Sequence, residues 1–354
     1  MSYKQGVMAG IIITIFVTML TPLTQLITST IITPEYFPNV IEYSVNQGLM
    51  TEEAQSKVLS LHQAAREVGV SFSREWVPKS KFVRANSMKF HYLEWGDTSN
   101  PVIVMLHGFA QQAHSWDFVA LAFADRYRIL AIDQRGHGDS DWATDGDYSP
   151  ETQQVDLEGI VAELELDEFI LMGLSMGGRN ALTYAANNPE KVNALIIVDA
   201  GPENVRAGTQ NIRNFVEQED ELDSIDAFVD RVIKYNPRRD PIQIRGSIVN
   251  NLRQLPSGKW TWKYDKILRS VGRMGKKQDP EITERLWKYV ESLSCPTLVV
   301  KGDRSDVIAA GTADQMHKRI PEGKIAIVEN AGHLVMGDNP PGFEKAVTTF
   351  IREI

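Results

Sequence analysis

The residues best suited to chemistry lie in Gly173-Leu174-Ser175-Met176-Gly177, a G-x-S-x-G sequence. An apolar run over 169–172 precedes it and predicts a buried strand, whereas residues 179–186 predict a helix. A turn that joins a strand to a helix so abruptly holds its serine in an unfavourable backbone conformation and exposes the Oγ atom at the end of the sheet. The flanking glycines let strand and helix approach closely. Ser175 is therefore predicted to be a nucleophile.

A serine hydroxyl is a weak nucleophile near neutral pH and needs a general base. In chains that use this motif, the acid and then the histidine follow the serine. Of the seven histidines, only His317 and His333 lie after Ser175. His317 belongs to a polar stretch that predicts a solvated helix. His333 lies in a glycine-containing loop directly after the strand-like run 324–328, so we predict that it is the base.

Three aspartates are candidates for the acid that orients the histidine. Asp303 and Asp306 lie in the loop after the strand-like run 296–300. Asp199 ends the strand-like run 194–198. All three follow predicted strands, where a side chain can project from the carboxyl edge of a sheet. The residues alone leave this choice open.

Two further motifs extend the pattern. His107-Gly108-Phe109 follows the predicted strand 102–106, and the segment 133–140 reads Asp-Gln-Arg-Gly-His-Gly-Asp-Ser after another predicted strand. From about Phe82 to Ile354 the chain resembles the serine-dependent, cap-bearing members of the α/β-hydrolase fold superfamily. The first motif resembles the oxyanion loop of that family. The second resembles a structural loop, which implies that His137 is architectural.

The resemblance assigns further roles. It favours Asp306 as the acid, because the family's acid in this loop usually stands three or four residues after the glycine. Asp303 is then expected to shape the turn by accepting hydrogen bonds from backbone N–H groups. The backbone N–H groups of Phe109 and Met176 are the expected oxyanion hole. We therefore predict Ser175, Asp306 and His333 as the catalytic triad.

The predicted fold class is α/β, with a doubly wound, mostly parallel sheet as in α/β-hydrolases. Residues 81–202 and 292–354 are predicted to form this core. Residues 203–291 interrupt the alternation of strands and helices, and we predict that they form a helical cap inserted between strands six and seven. Substrate-binding aromatic side chains are expected in this cap at Phe215, Trp260 and Trp262.

These features predict a serine hydrolase that cleaves a carboxylic ester or related acyl bond of a small to medium apolar substrate through an acyl-enzyme. Serine at the elbow argues against epoxide hydrolases and haloalkane dehalogenases, which use aspartate there. A carbon–carbon bond hydrolase, a lactonase or a thioesterase with the same triad is an alternative. So is a non-catalytic ligand-binding receptor on the hydrolase scaffold. No organic cofactor is implied.

Charge and composition limit the classes of ligand and partner that the chain is expected to bind. The chain has 354 residues and a net charge of −9, and it carries no long run of Lys and Arg, so nucleic acid is not an expected partner. No group of histidines and cysteines has zinc-site spacing, so no metal is expected. The lone Cys295 stands before a core strand and is expected to be buried rather than reactive.

The N-terminal part is extra to the predicted core. Residues 1–34 are strongly hydrophobic, and residues 35–80 are predicted to be a helical extension, with an amphipathic helix that begins at Thr51. No charged residue occurs between Lys4 and Glu35, and the segment 7–27 barely reaches the length that spans a bilayer. We expect membrane association through this segment. A cleaved signal peptide, giving a secreted protein, and packing on the core of a cytoplasmic protein are the alternatives.

We predict that the full-length protein sediments with membranes. A chain that begins near Ser71 should stay in the supernatant and keep its activity, because the first predicted core strand begins only near Lys81. Fractionation of the two chains in the same cells, with activity measured in each fraction, tests this. Full-length protein found only in the supernatant would contradict the prediction.

Overall fold

Short segments rich in aliphatic and β-branched residues form a twisted sheet of eight strands, ordered β1-β2-β4-β3-β5-β6-β9-β10. The computed structural model describes residues 61–237, 239, 241–269, 279–309 and 311–354, apart from the side chains of Arg206 and Ile242. Strands β1, β2 and β4 pair antiparallel, and all other pairs in this sheet are parallel. The strands, including a separate hairpin of β7 and β8, are β1 Lys79–Ala85, β2 Met88–Trp95, β3 Val102–Leu106, β4 Arg128–Ile132, β5 Phe169–Leu174, β6 Val192–Val198, β7 Leu252–Gln254, β8 Trp260–Trp262, β9 Thr297–Gly302 and β10 Gly323–Val328.

Helices cover both faces of the sheet. In β3 the side chains alternate, so that Ile103 and Met105 enter one core cluster while Val104 and Leu106 enter the other. Because both faces are buried, the central strands read as continuous apolar runs. The helices are α1 Asp117–Phe123, α2 Pro150–Glu163, α3 Met176–Asn187, α4 Arg206–Val216, α5 Ile225–Tyr235, α6 Pro241–Asn250, α7 Pro280–Ser292, α8 Thr312–Arg319, α9 Val335–Asp338 and α10 Pro340–Arg352.

Local sequence explains where several helices begin. Ser149 caps α2 by accepting from the N–H of Thr152, and Pro150 occupies its first turn, where no N–H is needed. Asn339 caps α10 in the same manner ahead of a proline. Helices α1 and α10 lie on one face of the sheet, whereas α2, α3, α7 and α8 lie on the other. The predicted α/β-hydrolase fold class is thereby confirmed.

The segment between β6 and β9 differs from the purely helical insertion expected over 203–291. It contains α4, α5 and α6, but also the β7–β8 hairpin and a short 3-10 helix at Lys266–Arg269. Helix α7 begins at Pro280, and its side chains Leu286 and Val290 are buried in a core cluster with α2 and α3. Residues 203–269, which precede this core helix, are called the insertion.

Residues before the first strand also belong to the core. Residues 61–67 are helical, and Ala65 is fully buried in the cluster that contains α1 and α10. His62 bonds through Nε2 to the carbonyl oxygen of Trp76, and Val70 is buried. A cut near Ser71 removes this buried apolar surface, which counts against the expectation that a chain could begin there without loss. Leu61 is the better starting point.

The hydrophobic segment 7–27, on which the membrane prediction rests, lies outside the described residues, as do the first ten residues of the helix predicted from Thr51. Within the described part of the chain, no helix combines the length and the apolar character needed to cross a bilayer.

The buried helix before β1 gives a stability prediction. Ala65→Asp should lower the free energy of unfolding by about 3–5 kcal/mol, because it leaves an unpaired charge in the core. Gln63→Asp on the exposed side of the same helical segment is the matched control and should have little effect. Urea unfolding of both full-length variants provides the measurement. Equal stability of the two would show that the segment does not pack as described.

Candidate active site

The serine predicted as nucleophile lies in a strained turn between β5 and α3. Ser175 has φ 55° and ψ −112° and is the single residue between the strand and the helix. A Cβ atom on Gly173 would lie 2.2 Å from the carbonyl oxygen of Gly177, and one on Gly177 would lie 2.3 Å from that of Leu106. Only glycine fits at these two positions. The turn therefore has the geometry expected of a nucleophile elbow.

Neighbouring parallel strands end together at this edge of the sheet. The carboxyl ends of β3, β5, β6, β9 and β10 are in register through the pairs Leu106–Gly173, Leu174–Val198, Val198–Val300 and Gly302–Val328. The loops that follow these strands must therefore converge. They carry the sequences containing Phe109, Ser175, Asp199, Asp306 and His333.

The structure pairs the predicted base with Asp199. His333 Nδ1 lies 2.6 Å from Asp199 Oδ2. Since the carboxylate can only accept, Nδ1 carries the proton and Nε2 is left as the basic atom. Asp199 is fully buried, whereas His333 retains 16% exposure of its side chain and lines the same cavity as Ser175. Ser305 Oγ donates to the same carboxylate oxygen at 2.5 Å.

The prediction that Asp306 orients the histidine is wrong for this structure. Asp306 accepts a hydrogen bond from Asn211 Nδ2 of α4 at 3.1 Å. Its loop is drawn toward the insertion, because the N–H of Val205 donates to the carbonyl of Val307.

Asp303 accepts a hydrogen bond from a backbone N–H, but from the loop after β10 and not within the turn that it was predicted to shape. Its Oδ1 accepts from the N–H of Ala331, two residues before His333. The N–H of Arg304 donates to the carbonyl of the same Ala331. The loop after β9 therefore fixes the loop after β10, and with it the position of the histidine.

The two predicted oxyanion donors belong to the residue after the serine and to the loop after β3. Met176 is the first residue of α3, so its N–H has no acceptor within the helix. Phe109 lies in the loop after β3, and both Phe109 and Ser175 line the cavity. The next residue, Ala110, has φ 59°, a backbone conformation that turns the loop sharply.

Two buried histidines hold this loop. His107 Nε2 accepts from the N–H of Gln134 at 3.0 Å, and His137 Nε2 accepts from the N–H of Ala110 at 3.3 Å. Each ring's Nδ1 bonds to a carbonyl oxygen, so both rings are neutral. Burial, reinforced by the neighbouring His107, lowers the pKa of His137 to about 3. His137 is thus architectural, as the resemblance implied.

One group of described residues, His91, Asp133 and Asp139, could supply three atoms to a metal ion. Hydrogen bonds already engage its central carboxylate. Asp133 Oδ1 accepts from the N–H of Ala113, and Oδ2 accepts from the N–H of Asp139 and lies 2.7 Å from His91 Nδ1. These bonds organise the structural loop that also contains His137.

The cavity above Ser175 has a volume of about 990 Å³. Of the three aromatic residues expected there, Phe215 and Trp262 line it, but Trp260 does not. The backbone of Trp260 instead pairs with Leu222 inside the insertion. Several polar side chains that sequence reasoning did not single out also line the cavity: Asn211, Asn214, Gln218, Asn236 and Asn251.

The arrangement can support attack on a carbonyl carbon. It combines a hydroxyl at a strained turn, a histidine paired with a buried carboxylate, and a helix that begins directly after the serine. Asp199 was one of the three candidate acids in the sequence, but its position at a strand end did not distinguish it from Asp303 and Asp306.

Comparison with known proteins identifies the family of this chain. The family model for the α/β-hydrolase fold matches residues 101–340, and a model for a family of unknown function matches residues 1–90. Esterase Rv0045c from Mycobacterium tuberculosis is 31% identical over 79% of this chain and 90% of its own. Its crystal structure superposes with a TM-score of 0.66, covering 84% of this chain and 98% of that one.

A mouse sn-1-specific diacylglycerol lipase, ABHD11, is 29% identical over 72% of this chain and 82% of its own. The structure of E-2-(acetamidomethylene)succinate hydrolase, at 22% identity, has a TM-score of 0.70 over 78% of this chain and all of that one, which shows a shared fold. Because the family model matches more than half of the chain, and a relative is 31% identical over 79% of it, the chain belongs to the α/β-hydrolase family.

Proposed function

We propose that this protein is a serine hydrolase that cleaves carboxylic esters through an acyl-enzyme. The observation that carries the proposal is the 2.6 Å contact between His333 Nδ1 and the buried Asp199, at a cavity that Ser175 also lines. This contact leaves the basic Nε2 atom of the histidine available to take the serine proton. The names of the esterase and lipase relatives favour an ester over other acyl bonds.

The proposed residues act in turn along the acyl-enzyme route. His333 accepts the Ser175 proton as Oγ attacks the carbonyl carbon, and Asp199 stabilises the imidazolium that forms. The N–H groups of Phe109 and Met176 donate to the developing oxyanion, and each such donor is commonly worth about 3 kcal/mol in the transition state. His333 then protonates the leaving alcohol, and a water molecule activated by the same histidine releases the acid.

The cavity lining refines the substrate class. A volume of about 990 Å³ accommodates a medium-sized ester. Phe215 and Trp262 offer an apolar wall, whereas Asn211, Asn214 and Gln218 offer polar groups on α4 and directly after it. This mixture supports an amphiphilic ester rather than the wholly apolar substrate expected from the sequence.

The nucleophile can be tested by covalent labelling. Ser175→Ala should abolish reaction with a fluorophosphonate probe, because it removes Oγ without adding bulk to the elbow. Thermal unfolding should show a folded protein. Ser247→Ala, which removes another serine hydroxyl from the cavity lining, is the matched control and should still be labelled. Undiminished labelling of folded Ser175→Ala protein would exclude this serine as nucleophile.

The acid can be identified by comparing two isosteric changes. Asp199→Asn should lower kcat for a short-chain p-nitrophenyl ester by roughly 10⁴-fold, because the amide favours the wrong tautomer of His333. Asp306→Asn should cost less than about tenfold, since its partner is Asn211 rather than the histidine. Steady-state kinetics of the two folded variants measure which aspartate acts as the acid. The opposite ranking would return the acid to the loop after β9.

A further inference from the structure

Two asparagines of the insertion contact the two loops that carry the proposed catalytic groups. Asn251 Nδ2 donates to the carbonyl oxygen of Ala110 at 3.0 Å, and Asn236 Nδ2 donates to Asp338 Oδ1 at 2.8 Å. We propose that Asn236 and Asn251 are positioning residues through which the insertion holds the histidine loop and the oxyanion loop in their reactive geometry. This inference rests on the proposed function.

Asn251 acts on the oxyanion loop. It follows α6, and its own backbone is fixed at both ends, since its N–H donates to Ile248 and its carbonyl accepts from Lys263. Ala110 is therefore held from two sides, by His137 of the core at its N–H and by Asn251 of the insertion at its carbonyl. Ala110 directly follows Phe109, whose N–H must be placed to within a fraction of an ångström to stabilise an oxyanion.

Asn236 acts on the histidine loop through one intermediary. It ends α5, and the Asp338 carboxylate that it contacts has a second oxygen, Oδ2, which accepts from the N–H of Gly332 at 2.8 Å. Gly332 immediately precedes His333. The chain of contacts from Asn236 through Asp338 to Gly332 therefore links the insertion to the peptide that carries the general base.

The orientation of both amides is determined by their partners. A carbonyl and a carboxylate can only accept, so Nδ2 must face them and Oδ1 must face away. Both Oδ1 atoms are buried without a hydrogen-bond partner in the described part of the chain. An aliphatic side chain of the same shape would avoid the cost of these two acceptors, but it would remove the donor from the Ala110 carbonyl and the Asp338 carboxylate. The hydrogen bonds donated by the two Nδ2 atoms are therefore the interactions that these side chains provide beyond packing.

The inference is tested with Asn236→Leu and Asn251→Leu, which keep the approximate shape and remove the donor. Each should lower kcat for a p-nitrophenyl ester about 10- to 100-fold while KM changes by less than about threefold, because the lost Nδ2 contacts are to the two loops and the buried Oδ1 atoms are not exposed in the cavity. Asn250→Leu is the matched control: within the described part of the chain its amide donates to Gly246 of α6 and to neither catalytic loop, and kcat should be unchanged.

A double-mutant cycle separates positioning from a general loosening of the fold. If Asn236 acts through Asp338, the pair Asn236→Leu and Asp338→Ala should lower kcat no more than the worse single change. Asn251→Leu combined with Asp338→Ala should multiply the two single effects, because the two contacts hold different loops. Multiplicative effects of Asn236 and Asp338 would overturn the route through Asp338.

The remaining outcomes are also decisive. Unchanged kcat, or a change confined to KM, in both leucine variants overturns the inference. Where a leucine variant does not fold, the alanine variant replaces it, and the rate of fluorophosphonate labelling of Ser175 replaces kcat. Wild-type protein that the probe does not label contradicts the proposed function itself. Labelled wild-type protein with equally fast variants contradicts only the positioning roles.

Discussion

The site depends on the close approach of α3 to the sheet at the end of β5. One residue, Ser175, reverses the chain from strand to helix, and its φ of 55° is sustained because the backbone at Gly173 and Gly177 is packed against neighbouring carbonyl groups. That contact points the N-terminus of α3 at the serine and supplies the Met176 N–H beside it. A larger side chain at either glycine would separate helix from strand and remove both features.

Around the elbow, hydrogen bonds between loops fix every other proposed catalytic group. The loop after β9 accepts from the histidine loop through Asp303 and donates to Asp199 through Ser305. The neutral rings of His107 and His137 tie the oxyanion loop to the structural loop after β4. Preorganisation of this kind stabilises a transition state because the groups need not rearrange when charge develops.

The pairing of His333 with Asp199 shows how a local arrangement of loops can select between chemically equivalent acids. The segment 305–309 pairs with the start of the insertion through Val205 and Val307, and Asp306 is engaged by Asn211. Asp199 leaves β6 with φ 44° and reaches the histidine directly. The same insertion that lines the cavity thus also decides which carboxylate is available.

The sequence by itself determined the elements that depend on local pattern. Apolar runs bounded by glycine and proline identified the strands of the sheet, and the G-x-S-x-G motif between a strand and a helix identified Ser175. The order of residues left only His333 as a suitable base. These features are local, because backbone conformation and strand burial follow from a few neighbouring side chains.

Only the tertiary structure decided which aspartate pairs with His333, how residues 61–70 pack on the core, and which loops Asn236 and Asn251 contact. Each depends on contacts between segments distant in sequence, such as the 134 residues that separate Asp199 from His333. Motif spacing carries no information about which of several loops at one edge of the sheet comes within hydrogen-bond distance of another. That distance is fixed by how the insertion packs on the ends of the strands.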